Sequence, residues 1–363
     1  GQVLVLNGDM PLARLNSVRK LIQMQQKKKT AVSLLTAEVE DSFGYGRILR
    51  NGKGALIGIV EHKDATAAQK NIHEINVGVY CFELAFLQKS IGKIKNQNKQ
   101  KEYYLPDLVA FAEAHGLAMQ ASCLSDSKEA LGVNTQIDLN CVADYLYERK
   151  RKEAMQNGAV LVGTQVFIDS DVKIASGVHL ESPCYLKGET KLKSDVIIET
   201  GCVLKDSEVG EGSLIKSHSY LDQARVADNC QIGPFAHLRP KTELKSGVKI
   251  GNFVETKKST VGEGSKINHL SYIGDAEVGK SVNIGAGTIT CNYDGVNKYK
   301  TKLGDHVFIG SDTQLVAPVT LGKHVFVGAG STVTRDAAAH SLVLSRVPQQ
   351  EIKGWARRKR QKK

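Results

Sequence analysis

Apolar residues recur at every sixth position through the second half of the chain, from Val166 to Val333. Two registers hold five such residues each: Val226, Ile232, Leu238, Leu244 and Ile250, and then Ile309, Leu315, Leu321, Val327 and Val333. Shorter runs fill the intervals: Val166, Val172, Val178 and Cys184; Leu186, Leu192 and Ile198; Val209, Ile215 and Leu221; Val261, Ile267 and Ile273; Val278 and Ile284. A period of six fits neither an α-helix, at about 3.6 residues, nor a long strand, at about two.

The six-residue period predicts a β-helix of hexapeptide repeats, in which each flat side of a coil contributes one inward apolar residue. Three sides make a coil of about 18 residues, so the stretch holds roughly eight to nine coils once an interruption at residues 287–304 is removed. We expect glycine after the apolar residue, as in Ile232-Gly233, Ile250-Gly251 and Ile273-Gly274, to accept positive φ at tight corners. The alternative is a β-sandwich, whose irregularly spaced turns do not account for two runs of five strict repeats.

The first part of the chain alternates strand-like and helix-like segments. A buried strand is predicted at residues 2–6, further strands at 31–36, 57–60 and 74–80, and helices along the stripe from Leu12 to Met24 and at 105–115. This alternation is typical of an α/β domain with a mostly parallel sheet, in which Asp9, at the carboxyl end of a central strand, would lie at a ligand site. Because the first strand is of a kind found in the middle of a sheet, we expect the chain to begin inside this domain, over residues 1–136.

Three further segments follow the first domain. Residues 137–158 are polar and helical, with Leu139, Val142 and Leu146 on one side and Gly158 as a stop, so they predict a connecting arm. The β-helix is predicted over residues 159–350. Residues 351–363 form a basic tail for which we expect no fixed structure.

Composition narrows the class of protein. The chain has 363 residues, 41% of them hydrophobic, and seven scattered cysteines without a CxxC pair. No apolar run approaches membrane-spanning length, and the first nine residues do not make a signal peptide, so we expect a cytoplasmic protein with reduced thiols and no membrane partner. The net charge of +11 comes partly from the tail and from Lys27–Lys29. Aromatic residues are sparse near these runs, which favours a solvated surface over a nucleic-acid footprint.

An ordered set of motifs spans essentially the whole chain. It comprises Asn7-Gly8-Asp9, Gly44-Tyr45-Gly46-Arg47, the segments at 59–65 and 132–134, and above all residues 284–295, Ile-Gly-Ala-Gly-Thr-Ile-Thr-Cys-Asn-Tyr-Asp-Gly. The set resembles the family of bacterial bifunctional uridylyltransferase/acetyltransferases that make UDP-N-acetylglucosamine. The resemblance implies part of a Rossmann-like nucleotidyltransferase α/β domain, followed by a left-handed parallel β-helix that acetylates glucosamine 1-phosphate from acetyl-CoA.

The resemblance implies the parts of an acetyl-transfer site in the β-helix. His269 is the implied catalytic base, Glu255 the carboxylate that orients its imidazole, and the backbone N–H of Ala286 the oxyanion donor. The residues implied for glucosamine 1-phosphate are Arg239, Lys257, Tyr272, Asn283 and Lys298. Those implied for acetyl-CoA are Ala286, Asn292, Tyr293, Ser311, Ala329 and Arg346. Because coils expose side chains without a deep pocket, and because the family is trimeric, we expect sites between the protomers of a homotrimer.

The resemblance also implies a nucleotide site in the first domain. Asp9 and Asn134 are the implied ligands of Mg²⁺, which prefers hard oxygen donors. Gly44, Glu61 and Asn76, together with Asn134, are the implied contacts of UTP and UDP-N-acetylglucosamine. The family's Leu-Ala-Ala-Gly-x-Gly-Thr-Arg-Met and Gln-x-x-Gly-Thr segments, which hold the phosphates and the uracil, are absent from this sequence. We therefore expect little or no uridylyl transfer by residues 1–363.

Three other functions remain open from the sequence. The chain could be a sugar-nucleotide pyrophosphorylase whose β-helix serves only for assembly. It could be a truncated scaffold without catalytic activity, or a nucleic-acid binder suggested by charge alone. The segment 284–295 and His269 argue against the first alternative, because an inert β-helix needs neither of them.

Overall fold

The computed structural model describes residues 1–360, without the side chains of residues 359 and 360, and forms two compact units that divide between Tyr145 and Leu146. Each unit has its own hydrophobic core. Residues 361–363, the end of the predicted basic tail, lie outside the described part of the chain.

The first unit contains a six-stranded mixed sheet. Its strands are β1 (Gln2–Val5), β2 (Val32–Glu38), β3 (Arg47–Arg50), β4 (Leu56–Val60), β5 (Glu74–Glu83) and β6 (Met119–Cys123). They run in the order β4-β3-β5-β2-β6, with β1 also paired to β5. The helices of this unit are α1 (Leu15–Lys28), α2 (Ala67–Lys70), α3 (Leu84–Ser90) and α4 (Asp107–Ala114), with short 3-10 turns at Ile91–Lys93 and Ser127–Ala130. Helix α5 (Gln136–Gln156) begins in the first unit and ends in the second.

The expected mostly parallel sheet and buried first strand were wrong. Among the described residues, β2 and β6 are the only parallel pair of this sheet, while β1, β2 and β3 all run antiparallel to β5. A short turn joins β3 to β4, and strands joined in this way must pair antiparallel. Strand β1 is partly exposed, and Leu4 keeps 36% of its surface. A four-residue apolar run does not distinguish a central strand from a strand with an open face.

The second unit is a parallel β-helix, as the six-residue period predicted. Its three faces are ladders of short parallel strands, one strand per coil. The first face comprises Val160–Val162, His179–Glu181, Ile197–Ile198, Leu214–Ile215, Gln231–Ile232, the first parts of Lys249–Lys257 and Lys266–Gly274, Asn283–Ile284, Phe308–Ile309, Phe326–Val327 and Leu342–Val343. The second comprises Val166–Ile168, Cys184–Lys187, Val203–Lys205, Tyr220–Asp222, His237–Leu238, the last parts of the same two long strands, Ile289–Cys291, Gln314–Val316 and Thr332–Val333. The third comprises Lys173–Ile174, Lys191–Leu192, Glu208–Val209, Arg225–Val226, Glu243–Leu244, Thr260–Val261, Ala276–Val278, Thr301–Leu303 and Val319–Leu321.

The predicted inward residues form the core of the β-helix. Every apolar position of the six-residue registers is buried, from Val166 to Val333. The coil length follows from the pairing: Leu186 pairs with Leu204, and Leu204 pairs with Leu221 on the next coil. Stacked coils therefore bury a continuous column of apolar side chains that no single coil could bury alone.

The positive φ expected for the glycines after the apolar residues is found at Gly233 but not at Gly251 or Gly274. Gly233 does adopt positive φ, at 93°. Gly251 does not, but a Cβ on it would lie 1.8 Å from the backbone oxygen of Asn268 on the next coil. Gly285 and Gly310 are equally crowded, because a Cβ on either would lie within 3 Å of backbone atoms one coil further on. At these positions glycine is needed for the close stacking of coils rather than for backbone conformation.

The interruption of the register is shorter than the sequence indicated. Thr290 takes the inward position six residues after Ile284 and is 2% exposed, so the strand Ile289–Cys291 still belongs to the coil. The extra residues lie between Cys291 and Thr301, where Tyr293 and Lys298 form an antiparallel bridge. Above this loop the strand Thr301–Leu303 resumes the third face, paired with Ala276–Val278. The insertion is therefore a surface loop that leaves the core column intact.

The tail has more structure than expected. Residues Trp355–Arg360 form a helix, α6.

Candidate functional site

One corner of the β-helix, between the first and second faces, carries four of the predicted residues and Asn252 on successive coils. From bottom to top, the column is Asn252, His269, Ala286, Ser311 and Ala329, and we call it the first corner. Backbone hydrogen bonds fix this order: Gly287 N donates to Leu270 O at 2.9 Å, Asp312 N to Ala286 O at 2.7 Å, and Gly330 N to Ser311 O at 2.8 Å. Asn252 and His269 are direct partners in the parallel ladder.

Side-chain size falls along the first corner above the histidine. His269 is followed by Ala286, Ser311 and Ala329, and we call this row of small side chains the channel of the first corner. Arg346 lies at the upper end, and its guanidinium is 3.6 Å from the place that a Cβ on Gly328 would occupy. The column thus runs from an imidazole, past small side chains, to the cation of Arg346.

The amide of Ala286 differs from its neighbours. The N–H of Gly285 donates to Ile309 O at 2.8 Å, and that of Gly287 donates to Leu270 O at 2.9 Å. Within residues 1–360, the N–H of Ala286 donates to no backbone carbonyl and no side chain. A free amide one coil above an imidazole is a suitable donor for an oxyanion that forms between them.

A cluster of cations lies at the second face, where Arg239 and Lys257 are joined by Lys298 of the inserted loop. Arg239, Lys257 and Lys298 are close enough to interact: Lys298 lowers the pKa of Lys257 through a side-chain hydrogen bond and charge repulsion, and Arg239 lowers it further. Glu255 and Tyr272, neighbours in the same ladder, complete the cluster. We call this group the cation cluster. Its excess of positive charge suits a phosphate group.

Glu255 does not contact the imidazole, contrary to our expectation that it orients His269. Its carboxylate instead accepts a hydrogen bond from Arg239 at 2.7 Å. This bond raises the pKa of the Arg239 guanidinium. The ring of His269 has a different partner, because its Nδ1 lies 3.1 Å from Oδ1 of Asn252. The residue missed from the sequence is therefore Asn252. Its position 17 residues before His269, one coil length, was the available signal.

The remaining predicted residues of this region are dispersed. Asn283 pairs with Lys266 on the first face, whereas Tyr272 lies on the second, so one chain does not bring these two side chains together. Asn292 is 8% exposed, and its amide donates to Asp275 Oδ2 at 2.6 Å. Tyr293 stands in the inserted loop, where its hydroxyl donates to Gly295 O. The side-chain amide of Asn292 is therefore already engaged within the chain.

The first unit has a cavity of about 370 Å³ that gathers every residue predicted for the nucleotide site. Asp9, Gly44, Glu61, Asn76 and Asn134 all line it. The carboxylate of Asp9 and the amide of Asn134 both lie over Gly132, within 4 Å of the place that a Cβ there would occupy. Glycine at this position leaves room for the two side chains to face the same space.

Sequence reasoning missed a third carboxylate in this cavity, that of Asp138, beside those of Asp9 and Glu61. Asp138 accepts hydrogen bonds from the backbone N–H groups of Thr135, at 2.8 Å, and Asn134, at 3.1 Å. Thr135 also accepts from Asp138 N at 3.2 Å, which makes a capping pair at the start of α5. The side-chain hydrogen bond of Thr135 and these backbone donors lower the pKa of Asp138. The Thr-x-x-Asp spacing was the signal in the sequence.

Glu61 has a more apolar environment in the same cavity. Burial raises the pKa of its carboxyl group, and the charges of Asp64 and Asp107 raise it further, against an opposing effect of Arg47. The amide of Asn76 donates to the Tyr80 hydroxyl at 2.6 Å, and its oxygen accepts from Gly78 N at 3.1 Å. Asn76 is therefore held in one orientation at the cavity wall.

No helix within residues 1–360 is long and apolar enough to cross a membrane. Residues 300–335 match a family model described as bacterial transferase hexapeptide (six repeats).

Similar proteins match along the whole chain. A protein of Pelobacter propionicus named bifunctional protein GlmU is 45% identical over 363 residues, which cover 100% of this chain and 79% of that protein. A protein of the same name from Geotalea uraniireducens is 44% identical over 361 residues, 99% of this chain and 79% of that protein. A solved structure of LpxA from Acinetobacter baumannii is 16% identical, with a TM-score of 0.32 over 51% of this chain and 71% of that one. That score is too low to support any argument.

The full-length identity with these relatives agrees with the hexapeptide match and with the two units of the structure. The chain belongs to the GlmU family of bifunctional transferases.

Proposed function

We propose that the β-helix transfers the acetyl group of acetyl-CoA to the amine of glucosamine 1-phosphate at the first corner. The observation that carries the proposal is the ordered column of His269, Ala286, Ser311, Ala329 and Arg346, set beside the cation cluster. A base, a free amide donor and two separate cationic sites are what the reaction of an amine with an anionic thioester requires.

The cation cluster is proposed to hold the sugar phosphate. The planar guanidinium of Arg239 can grip a phosphate with two parallel hydrogen bonds, while Lys257 and Lys298 add point charges. Tyr272, next to Glu255 in the ladder, is proposed to hydrogen-bond a sugar hydroxyl. The repulsion that lowers the pKa of Lys257 is relieved when an anion enters, so phosphate binding removes an unfavourable interaction.

The channel of the first corner is proposed to hold the pantetheine arm of acetyl-CoA. Coils stack at about 4.8 Å, the spacing of neighbouring strands. Ala286, Ser311 and Ala329 therefore offer three successive small steps from the imidazole to Arg346, which would bind a phosphate of the nucleotide. Tyr293, in the inserted loop, and Asn292 are the further proposed contacts. Because the amide of Asn292 is bound to Asp275, any contact of Asn292 with the cofactor is expected through its backbone.

In the proposed reaction, the substrate ammonium first loses one proton to solvent, and the free amine then attacks the thioester carbonyl while His269 accepts a second proton from the attacking nitrogen. The carbonyl oxygen becomes an oxyanion, to which the N–H of Ala286 donates. Collapse of this intermediate breaks the C–S bond and forms the amide, while the imidazolium of His269 returns its proton to the leaving thiolate. The products are N-acetylglucosamine 1-phosphate and free coenzyme A.

We also propose that the active unit is a homotrimer. Asn283 and Tyr272, both proposed to bind the sugar, lie on different faces of one solenoid, and the first corner is open to solvent. A second protomer beside this corner would supply the missing wall and the missing hydroxyl contacts. Sedimentation in the absence of ligand tests this proposal, and a fully active monomer would contradict it.

For the first unit, we propose that the 370 Å³ cavity is part of the site of the family's second reaction, Mg²⁺-dependent uridylyl transfer from UTP to N-acetylglucosamine 1-phosphate, with little or no turnover by residues 1–363, in which the phosphate and uracil segments are absent. We propose that the donor set suits the metal, because Asp9 and Asn134 place a carboxylate and a side-chain amide around one space and Asp138, which lines the same cavity, adds a further carboxylate. When bound, the ion would neutralise charge on the phosphates of the nucleotide. Gly44, Glu61 and Asn76 are proposed to contact the UDP-sugar. We propose the same segment boundaries as in the sequence analysis, namely residues 1–136, 137–158, 159–350 and 351–363. The proposed cellular location of the protein is the cytoplasm.

A direct test of the acetyl-transfer proposal compares two amine substrates. Release of free coenzyme A should be fast with glucosamine 1-phosphate and at least tenfold less efficient, in kcat/KM, with glucosamine, which lacks the phosphate that the cation cluster binds. Equal efficiency with the two amines would contradict the assignment of the cation cluster. No release of coenzyme A, together with release of pyrophosphate from UTP and a sugar 1-phosphate, would favour the alternative, a sugar-nucleotide pyrophosphorylase with a structural β-helix.

A further inference from the structure

The imidazole of His269 is held by an amide side chain from the coil below it. Nδ1 of His269 lies 3.1 Å from Oδ1 of Asn252, and the two residues are register partners in the parallel ladder. No carboxylate is within hydrogen-bond distance of the ring among residues 1–360. The carboxylate nearest in the ladder, that of Glu255, is bonded to Arg239.

The backbone turns sharply directly after each residue of this pair. Asn252 and His269 each precede a residue in the left-handed region, Phe253 at φ 57° and Leu270 at φ 37°. Bulky apolar residues rarely adopt this conformation, so the corner is held by the surrounding coils. Gly251 adds to the constraint, because its Cα packs against the backbone of Asn268. The two side chains therefore leave the corner side by side, one coil apart.

The end of the amide that meets the ring decides which tautomer the histidine adopts. If Oδ1 accepts, Nδ1 must carry the proton, and Nε2 keeps its lone pair free. If the amide nitrogen donates instead, Nδ1 must be unprotonated and Nε2 carries the proton, so that Nε2 is not a base. The observed contact, through Oδ1, selects the first arrangement.

We propose that Asn252 is the positioning residue of the acetyl-transfer site: its side-chain oxygen accepts the Nδ1 proton of His269 and so leaves Nε2 as the base. This inference rests on the proposed acetyl transfer. A neutral amide orients the ring without the charge that a carboxylate would add, so the imidazolium formed in the reaction remains a good acid for the leaving thiolate.

The charged groups around the pair are few and of both signs. On the first face, Lys249 and Lys266 are partners in the ladder and precede the corner in sequence. On the second face, Glu255 follows it, engaged by Arg239. A change of residue 252 from amide to carboxylate would therefore place the only acidic oxygen within hydrogen-bond distance of the ring, among the described residues.

Three variants of the full chain test the inference by coenzyme A release at saturating substrates across pH. Asn252→Leu removes the acceptor at similar volume, and we expect kcat to fall roughly tenfold to a hundredfold with little change in either KM, the usual effect of losing a partner that orients an imidazole. Asn252→Asp keeps the acceptor and adds charge. It should retain most of kcat and move the acidic limb of the pH profile upward by about one unit. Gln231→Leu, on the first face one coil below, is the control and should change neither quantity.

The outcomes separate this inference from the proposed function. If Asn252→Asp is as inactive as Asn252→Leu, the amide donates rather than accepts and the inference is wrong. If both variants keep the parental pH profile and kcat while His269→Ala is inactive, acetyl transfer stands and Asn252 has no positioning role. If His269→Ala is itself fully active, the proposed function fails first. The ¹⁵N shifts of the His269 ring give an independent readout, since the inference predicts a protonated Nδ1 in the parent and not in Asn252→Leu.

Discussion

The guanidinium of Arg239 donates a hydrogen bond to the carboxylate of Glu255 at 2.7 Å, across two adjacent coils of the β-helix. Both residues were expected to serve in acetyl transfer, but the pair lies on the second face rather than at the imidazole. Glu255 thereby fixes the orientation of Arg239 and reduces the net charge of the cation cluster.

The first prediction concerns the geometry of Arg239. In Arg239→Lys the positive charge remains, but the planar fork that binds both Glu255 and a phosphate is lost. We expect KM for glucosamine 1-phosphate to rise about tenfold, equivalent to about 1.4 kcal/mol, with little change in kcat. Steady-state kinetics measure it. The matched control is Arg225→Lys on the third face, where Arg225 lies 4.0 Å from Glu243, and a similar rise in that variant would contradict the assignment.

The second prediction concerns pH. Lys298 lowers the pKa of Lys257, so Lys257 loses its charge at a lower pH than an ordinary lysine does. Affinity for the phosphate should therefore weaken as the pH rises through this lowered pKa. In Lys298→Met the main cause of the shift is gone, so affinity at neutral pH should drop while the alkaline loss moves to higher pH. Calorimetric titration with glucosamine 1-phosphate across alkaline pH measures both effects, and an unmoved alkaline limb would contradict the coupling.

The third prediction concerns coil stacking. Gly251→Ala places a Cβ 1.8 Å from Asn268 O, an overlap that only a backbone shift relieves. We expect the free energy of unfolding to fall by about 1–3 kcal/mol. Acetyl transfer should also be lost, because the shift separates the coils that carry Asn252 and His269. Thermal melts monitored by circular dichroism measure the stability. Gly52→Ala, where nothing lies within 4 Å, is the control and should melt like the parent.

The fourth prediction concerns the thiols. Burial in the β-helix core raises the pKa of Cys184 to about 12 and those of Cys202 and Cys230 to about 11. At neutral pH these groups are protonated and shielded, so they should react with a thiol reagent only on unfolding. The exposed Cys123 and Cys141 should react first in the folded protein. Timed alkylation read by mass spectrometry tests the order, and early modification of Cys202 would contradict the packing described for it.

The β-helix could be predicted from the sequence because its repeat is local and strict. Each inward residue, such as Ile232 or Leu315, lies six positions from the next, and burial of the whole column follows from that spacing. The sheet of the first unit was predicted less well. Short apolar runs such as β1 carry no information about the direction of their partners, so the antiparallel pairing with β5 could not be inferred from them.

The residues of the candidate sites were likewise predicted only in part. Family motifs identified Asp9, Glu61 and Asn134, which do line one cavity. They did not identify Asn252, because which atom faces an imidazole depends on the stacking of coils and not on any motif. Nor did the motifs show that Asn283 and Tyr272, which are 11 positions apart, lie on different faces of the β-helix. The face on which each residue lies depends on where the corners of the coil fall.

The most direct test of the account is a coenzyme A release assay with acetyl-CoA and glucosamine 1-phosphate, run on the parent chain beside His269→Ala. The account predicts rapid release by the parent and a fall in kcat of about 10²- to 10⁴-fold in the variant, the range for loss of a general base. Equal release by the two proteins would contradict the central claim that His269 is the base of the reaction.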